Sequence, residues 1–185
     1  MKNNNHGVYK VNVNGCERDL KLFEVSAGVK IAVLNILGDT ELVVAAASGL
    51  AKKLQSIEYD VLVTAEAKSI PLAFQLSIDL GKPYIVLRKN YKSYMGEALS
   101  QKTHSITTGK EQALYLDEKD KKMLTGSKVI LLDDVISTGS TLRAMDELME
   151  MVGAKVVANS AIFTEGEAKN IDNIVCLGHL PIFVD

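Results

Sequence analysis

The chain has 185 residues, of which 47% are hydrophobic, and its 21 basic residues nearly balance its 23 acidic residues. This length and apolar content suit one domain, spanning residues 1–185, with a substantial core. The balanced charge argues against a broad basic surface for duplex nucleic acid, and Cys16 and Cys176 lack the spacing of a disulfide or zinc framework.

The chain begins with a predicted hairpin and continues with alternating strands and helices. Apolar and polar side chains alternate on both sides of Asn14-Gly15, which predicts a β-hairpin at about residues 8–25. Apolar residues at helical spacing predict a helix from Thr40 to Ser56, with Asp39 or Thr40 as its cap. Later segments are predicted as strands at Val61–Thr64, Tyr84–Leu87, Gln112–Leu116, Lys128–Leu132 and Lys155–Phe163, and as helices at about Ile70–Leu80 and Ser140–Val152.

This alternation indicates an α/β fold with a mostly parallel central sheet flanked by helices. Ligands of such sheets bind beyond the carboxyl ends of the strands. The informative loops are therefore those that follow Val63, Leu87 and Leu132, and each of them contains polar or charged residues.

The loop after Leu132 belongs to the stretch "VILLDDVISTGST", residues 129–141. Its hydroxyl residues and glycine are small, so a phosphate can come close, and they lead into an amphipathic helix. The first N–H groups of that helix attract anions. Asp133 and Asp134 would repel that phosphate unless they bind another part of the ligand, such as ribose hydroxyls. The pattern therefore indicates a sugar phosphate site. The alternative is an exposed turn with ordinary helix capping.

The same stretch is similar to the phosphoribosyl pyrophosphate (PRPP) motif of type I phosphoribosyltransferases, which has four apolar residues, two acids and a Thr/Gly-rich loop. The resemblance implies that fold, with a hood from about residues 1–38 and 165–185 and a flexible lid at about 91–108. It also implies that Asp133 and Asp134 bind the ribose diol. The residues implied for the 5′-phosphate are Ser137, Thr138, Gly139, Ser140 and Thr141.

Two further loops resemble the pyrophosphate-binding segments of the adenine and xanthine enzymes of this family. After the strand "DVLVT", the implied residues are Glu66, Ala67, Lys68 and Ser69. The family often has a non-proline cis peptide in this turn, and we expect one between Ala65 and Ser69. After the next strand, the implied residues are Arg88, Lys89 and Lys92, for which the alternative is a solvated basic turn.

The expected lid and base pocket are where the chain departs from the family pattern. In the lid, Thr107 of "SITTG" stands where adenine enzymes carry a catalytic glutamate, and xanthine enzymes are closer at this point. In the hood, Ile36 and Leu37 are candidates for packing on the base, although the core is the simpler place for both. His179 is a candidate to face the site or a surface histidine.

The resemblance implies a Mg²⁺-dependent purine phosphoribosyltransferase of adenine or xanthine/guanine type. It would transfer 5-phosphoribosyl from PRPP to a nucleobase, with Mg²⁺ held by PRPP and reached by Asp133 or Asp134 through water. A PRPP-sensing regulator and an enzyme for a non-purine base remain alternatives. The family implies a homodimer. We expect neither nucleic acid nor membrane partners, and the lack of a signal-peptide pattern or of about 20 consecutive apolar residues predicts a cytoplasmic protein.

Overall fold

The computed structural model describes residues 7–104, 111–171 and 173–184. Within them the α-helices are α1 (Thr40–Leu54), α2 (Ile70–Leu80), α3 (Glu118–Leu124) and α4 (Ser140–Val152). The strands are β1 (Val8–Val13), β2 (Cys16–Ser26), β3 (Val29–Val33), β4 (Val61–Ala65), β5 (Tyr84–Leu87), β6 (Leu99–His104), β7 (Glu111–Leu116), β8 (Lys128–Ile136), β9 (Lys155–Glu165), β10 (Ile174–Leu180) and β11 (Phe183–Val184). Two short 3-10 helices cover Ser93–Met95 and Gly166–Asn170.

The centre of the molecule is a five-stranded parallel sheet in the order β10-β9-β8-β4-β5. All five residues of β4 are buried, as expected of a strand that is covered on both faces. On one face, α1 and α2 pack with residues such as Leu50 and Leu76 against Leu132. On the other face, Met145 of α4 packs with Leu131. The predicted α/β class with a mostly parallel sheet is confirmed.

A second, antiparallel sheet in the order β1-β2-β3-β11 forms the hood. Its first hairpin turns at Asn14 and Gly15, with φ angles of 49° and 91°, as the Asn-Gly pair predicts. The C-terminal part of the expected hood is divided between the two sheets. β10 pairs with β9 in the parallel sheet, because Val175 and Leu177 pack against the core beneath α1. Only β11 joins the hood, through antiparallel pairing with β3.

A hairpin of β6 and β7 occupies part of the expected lid segment. It packs beside α4, and Gln101 Nε2 of β6 donates a hydrogen bond to Glu147 of that helix. Thr107 lies outside the described residues. The sequence patterns did not predict β3, β6, α3 or the two C-terminal strands. In the described part of the chain, every helix is too short or too polar to cross a bilayer.

Candidate active site

The three loops singled out in the sequence start at the same edge of the parallel sheet, because they follow the neighbouring strands β5, β4 and β8. Direct contacts join them. Ser69 Oγ donates a hydrogen bond of 2.8 Å to Asp133 Oδ1, which links the loop after β4 to β8. Glu66 Oε2 lies 3.2 Å from Arg88 Nε, which links the same loop to the end of β5. The predicted convergence of the loops is therefore present.

The acid pair lies inside β8 and not beyond its end. The strand was expected to stop at Leu132, but its pairing with β9 continues to Ile136. Asp134 is only 5% exposed, and its Oδ2 forms an ion pair of 2.8 Å with Lys68 Nζ. Lys68 Nζ also donates to the carbonyl oxygen of Leu34 at 3.3 Å. The burial of a carboxylate is tolerated here because a cation compensates its charge.

Asp133 is held by neutral donors. Its Oδ1 accepts hydrogen bonds from Ser69 Oγ and, at 2.9 Å, from the backbone N–H of Asp134. Burial, followed by the neighbouring charge of Asp134, raises the pKa of Asp133 above its ordinary value, and the two hydrogen bonds oppose that rise. Asp134 therefore has a counterion, Lys68, whereas the hydrogen bonds that Asp133 Oδ1 accepts come from neutral donors.

Residues 137–139 join β8 to α4, and together with Ser140 and Thr141 at the start of the helix they are the residues predicted to bind the 5′-phosphate. Gly139 is the N-cap of α4 with φ 72°, a left-handed conformation that glycine adopts without strain. Among the described residues, no side chain caps this helix start. Thr138 Oγ1 lies 3.3 Å from Ser140 Oγ. A cleft of about 290 Å³ opens beside the loop, lined in part by Thr138, Gly139 and Arg143. Thr138 is exposed and Gly139 borders the cleft, so a ligand in the cleft would meet the start of α4.

The loop after β4 contains the expected non-proline cis peptide, between Glu66 and Ala67. Glu66 Oε2 accepts a hydrogen bond of 2.9 Å from the backbone N–H of Lys89 as well as pairing with Arg88. The Lys89 N–H and then Arg88 lower the pKa of Glu66, and the same ion pair raises the pKa of Arg88. Lys89 and Lys92 are exposed at the sheet edge, so this side of the site is the cationic one.

The acid pair suits a divalent cation that brings most of its own ligands. The described residues contain no group of three or more His, Cys, Asp or Glu side chains arranged around one point. Mg²⁺ keeps several waters and commonly binds through one or two carboxylates plus substrate phosphates. Asp133 and Asp134 therefore fit Mg²⁺ only together with a phosphorylated substrate.

Residues 34–176 match the family model described as "Phosphoribosyl transferase domain". The chain belongs to this phosphoribosyltransferase family. It is 38% identical over 135 residues to a hypoxanthine/guanine phosphoribosyltransferase of Methanobacterium lacus, covering 73% of this chain and 67% of that protein. It is 32% identical over 147 residues to the enzyme of the same description from Methanotorris igneus, covering 80% and 73%.

The fold is also that of solved members of the family. A crystal structure of adenine phosphoribosyltransferase from Thermoanaerobacter pseudethanolicus superposes with a TM-score of 0.67 at 21% identity, covering 93% of this chain and 95% of that one. The parallel sheet with an antiparallel hood is thus the type I phosphoribosyltransferase fold, as the sequence motif implied.

The family's base pocket was expected near Ile36 and Leu37. Ile36 is fully buried in the hydrophobic core that contains residues of the hood and of α1, so its side chain is not available to a base. Leu37 is 49% exposed. Sequence reasoning missed the contact from Lys68 to the Leu34 carbonyl, which links the loop of residues 66–69 to the segment that follows the hood strand β3. A backbone acceptor leaves no signature in residue types.

Proposed function

We propose that the protein is a purine phosphoribosyltransferase that transfers 5-phosphoribosyl from PRPP to a nucleobase and releases pyrophosphate and a nucleoside monophosphate. The observation that carries the proposal is the meeting of an acid pair, a phosphate loop and a cationic loop pair at one sheet edge. Hypoxanthine and guanine are the first candidate bases, because the relatives at 32–38% identity carry that description. Adenine is the second, supported by the motif and the fold.

In this proposal each loop binds a different part of PRPP. Asp133 and Asp134 accept hydrogen bonds from the ribose 2′- and 3′-hydroxyls. The residues of 137–141 hold the 5′-phosphate with backbone N–H groups and hydroxyls. The pyrophosphate lies between the loop of residues 66–69 and the cations Arg88, Lys89 and Lys92. The diol, the 5′-phosphate and the pyrophosphate would thus each be bound by a different segment, which fixes the position of the anomeric carbon.

In this reaction the protein positions the two reactants and stabilises the charge that develops as the bond breaks. Bond breaking at the anomeric carbon builds positive charge on the sugar and negative charge on the departing pyrophosphate, and the cationic loops stabilise the latter. Bound Mg²⁺ would neutralise pyrophosphate charge, with Asp133 or Asp134 reaching it through water. Residues 91–108, including Thr107, would close over the site and exclude water that otherwise hydrolyses PRPP.

The test is pyrophosphate release from PRPP and Mg²⁺ with adenine, hypoxanthine, guanine, xanthine, uracil and orotate. We expect turnover with a purine, and a large loss in Asp134→Asn. Glu150→Gln is the control, because Glu150 is an exposed acid on α4 outside the site. PRPP binding without turnover on any base would favour the sensor alternative, whereas turnover with uracil or orotate alone would favour a pyrimidine enzyme.

We further propose a cytoplasmic homodimer. Support for the second copy comes from α2, which directly follows the loop of residues 66–69 and exposes Phe74 and Ile78 at 53% and 59%. Large apolar side chains side by side on a surface favour a protein contact. Light scattering of the wild-type protein and of a Phe74→Ser, Ile78→Ser variant tests this, and a monomeric wild type at micromolar concentration would refute it.

A further inference from the structure

A buried threonine and an exposed histidine form a pair at the carboxyl edge of the sheet. Thr164, at the end of β9, is only 3% exposed, and its Oγ1 lies 3.0 Å from Nδ1 of His179 on β10. His179 is exposed. In the strand register His179 lies opposite Thr164, and Thr164 lies opposite Ile136, two residues beyond Asp134. The pair is therefore level with the end of β8, two residues beyond Asp134.

The order of the strands puts this pair on the opposite side of β8 from the pyrophosphate loops. β4 and β5, which lead into residues 66–69 and 88–92, lie on one side of β8, and β9 and β10 lie on the other. Displacement at an anomeric carbon brings the incoming atom to the face opposite the leaving group. If pyrophosphate leaves toward β4 and β5, the base must approach from the side of β9 and β10.

His179 also lies on the face of the sheet that the hood covers. Val175 and Leu177 of β10 pack into the core shared by α1 and the hood, and alternation along a strand puts His179 on that same face. Four residues later, Phe183 pairs with Lys30 of the hood strand β3. Adjacent strands lie about 4.8 Å apart, so His179, two strands away, is on the order of 10 Å from β8.

We propose that His179 contacts the polar edge of the purine and that Thr164 is the positioning residue that orients its ring. This inference rests on the proposed function. The Thr164 hydroxyl engages Nδ1, so the ring nitrogen through which His179 would contact a base is Nε2. For a 6-oxopurine, the productive arrangement has Thr164 donating to Nδ1, so that Nε2–H donates to the oxygen on C6. The 6-amino group of adenine offers no such acceptor at that position.

Steady-state kinetics with hypoxanthine, guanine and adenine test the proposal in wild type, His179→Ala, Thr164→Val and Thr164→Ser. We expect His179→Ala to raise KM for the 6-oxopurines about tenfold, in line with the loss of one hydrogen bond, with KM for PRPP unchanged. Thr164→Val should shift the same parameter in the same direction, because valine keeps the shape and removes the hydroxyl. Thr164→Ser should restore it.

The outcomes separate this inference from the function it rests on. A wild type that turns over no base overturns the proposed function and the inference with it. An active wild type with unchanged base KM in His179→Ala overturns the role of His179 alone. A parallel rise in KM for PRPP, or a Thr164→Ser variant as impaired as Thr164→Val, would show a general disturbance of the sheet edge and would also overturn it.

Discussion

Replacing Ser69 with alanine should show how strongly the Ser69 hydroxyl stabilises the partly buried carboxylate of Asp133. Ser69 is 1% exposed, and its hydroxyl donates the 2.8 Å hydrogen bond to Asp133 Oδ1. A hydrogen bond to a charged group contributes about 1.5–3 kcal/mol, so Ser69→Ala should lower the free energy of unfolding by that amount while Asp133 is ionised. The backbone N–H of Asp134 remains as a donor and keeps the expected loss toward the lower end.

The pH dependence of that loss has a definite sign. The pKa of Asp133 is raised in the folded protein above the ordinary 3.8 by burial and by the charge of Asp134. A carboxyl group with a raised folded pKa binds its proton more tightly when folded, so stability falls as pH rises from the ordinary value through the folded one. Since the Ser69 hydroxyl favours the charged form, Ser69→Ala should raise this pKa further and deepen the fall.

Urea unfolding in metal-free buffer between about pH 5 and about pH 9 measures the difference. The matched control is Thr64→Val, because Thr64 is fully buried nearby and its hydroxyl donates to a neutral acceptor, the Leu132 carbonyl, at 2.8 Å. Its loss should be about 1 kcal/mol and independent of pH. If the Ser69→Ala loss is equally independent of pH, the inference that the folded structure disfavours the charged form of the partly buried Asp133 is refuted.

Two further changes test the loop after β8 and the ion pair beside it. Gly139→Val should destabilise the protein by about 1–2 kcal/mol, because φ 72° is strained for valine, and should also raise KM for PRPP. Gly153→Val, at φ 76° at the other end of α4, should cost similar stability and leave KM unchanged; equal KM effects would contradict the phosphate-loop assignment. A double-mutant cycle of Lys68→Met and Asp134→Asn should give a coupling free energy of about 0.5–3 kcal/mol in urea unfolding. Additive losses of stability would show that the 2.8 Å ion pair does not stabilise the fold.

Local patterns predicted the elements whose termini carry strong signals. Asp39 caps α1 by accepting from the N–H of Leu42, and Gly153 follows α4 with φ 76°, so α1 begins and α4 ends where the sequence indicates. The strand β10 was missed because its first five residues are all partly exposed and give no clear alternation of buried and exposed positions. The end of β8 was misplaced because two adjacent acids read as the start of a loop, and only the tertiary partner Lys68 makes Asp134 acceptable inside a strand.

Two cations at the candidate site are each paired with a carboxylate. Lys68 pairs with Asp134, and Arg88 pairs with Glu66, so both cations of the loops that we propose to bind pyrophosphate have a carboxylate partner. A diphosphate that binds there must share or replace those partners, while the ribose diol supplies hydrogen bonds to the acid that Lys68 gives up. Binding of the diphosphate and binding of the ribose diol are therefore coupled through the ion pair of Lys68 and Asp134. If Lys68 moves from Asp134 to the diphosphate, its contact with the Leu34 carbonyl would weaken as well. Substrate binding would then change the contact between the loop of residues 66–69 and the segment beside the hood.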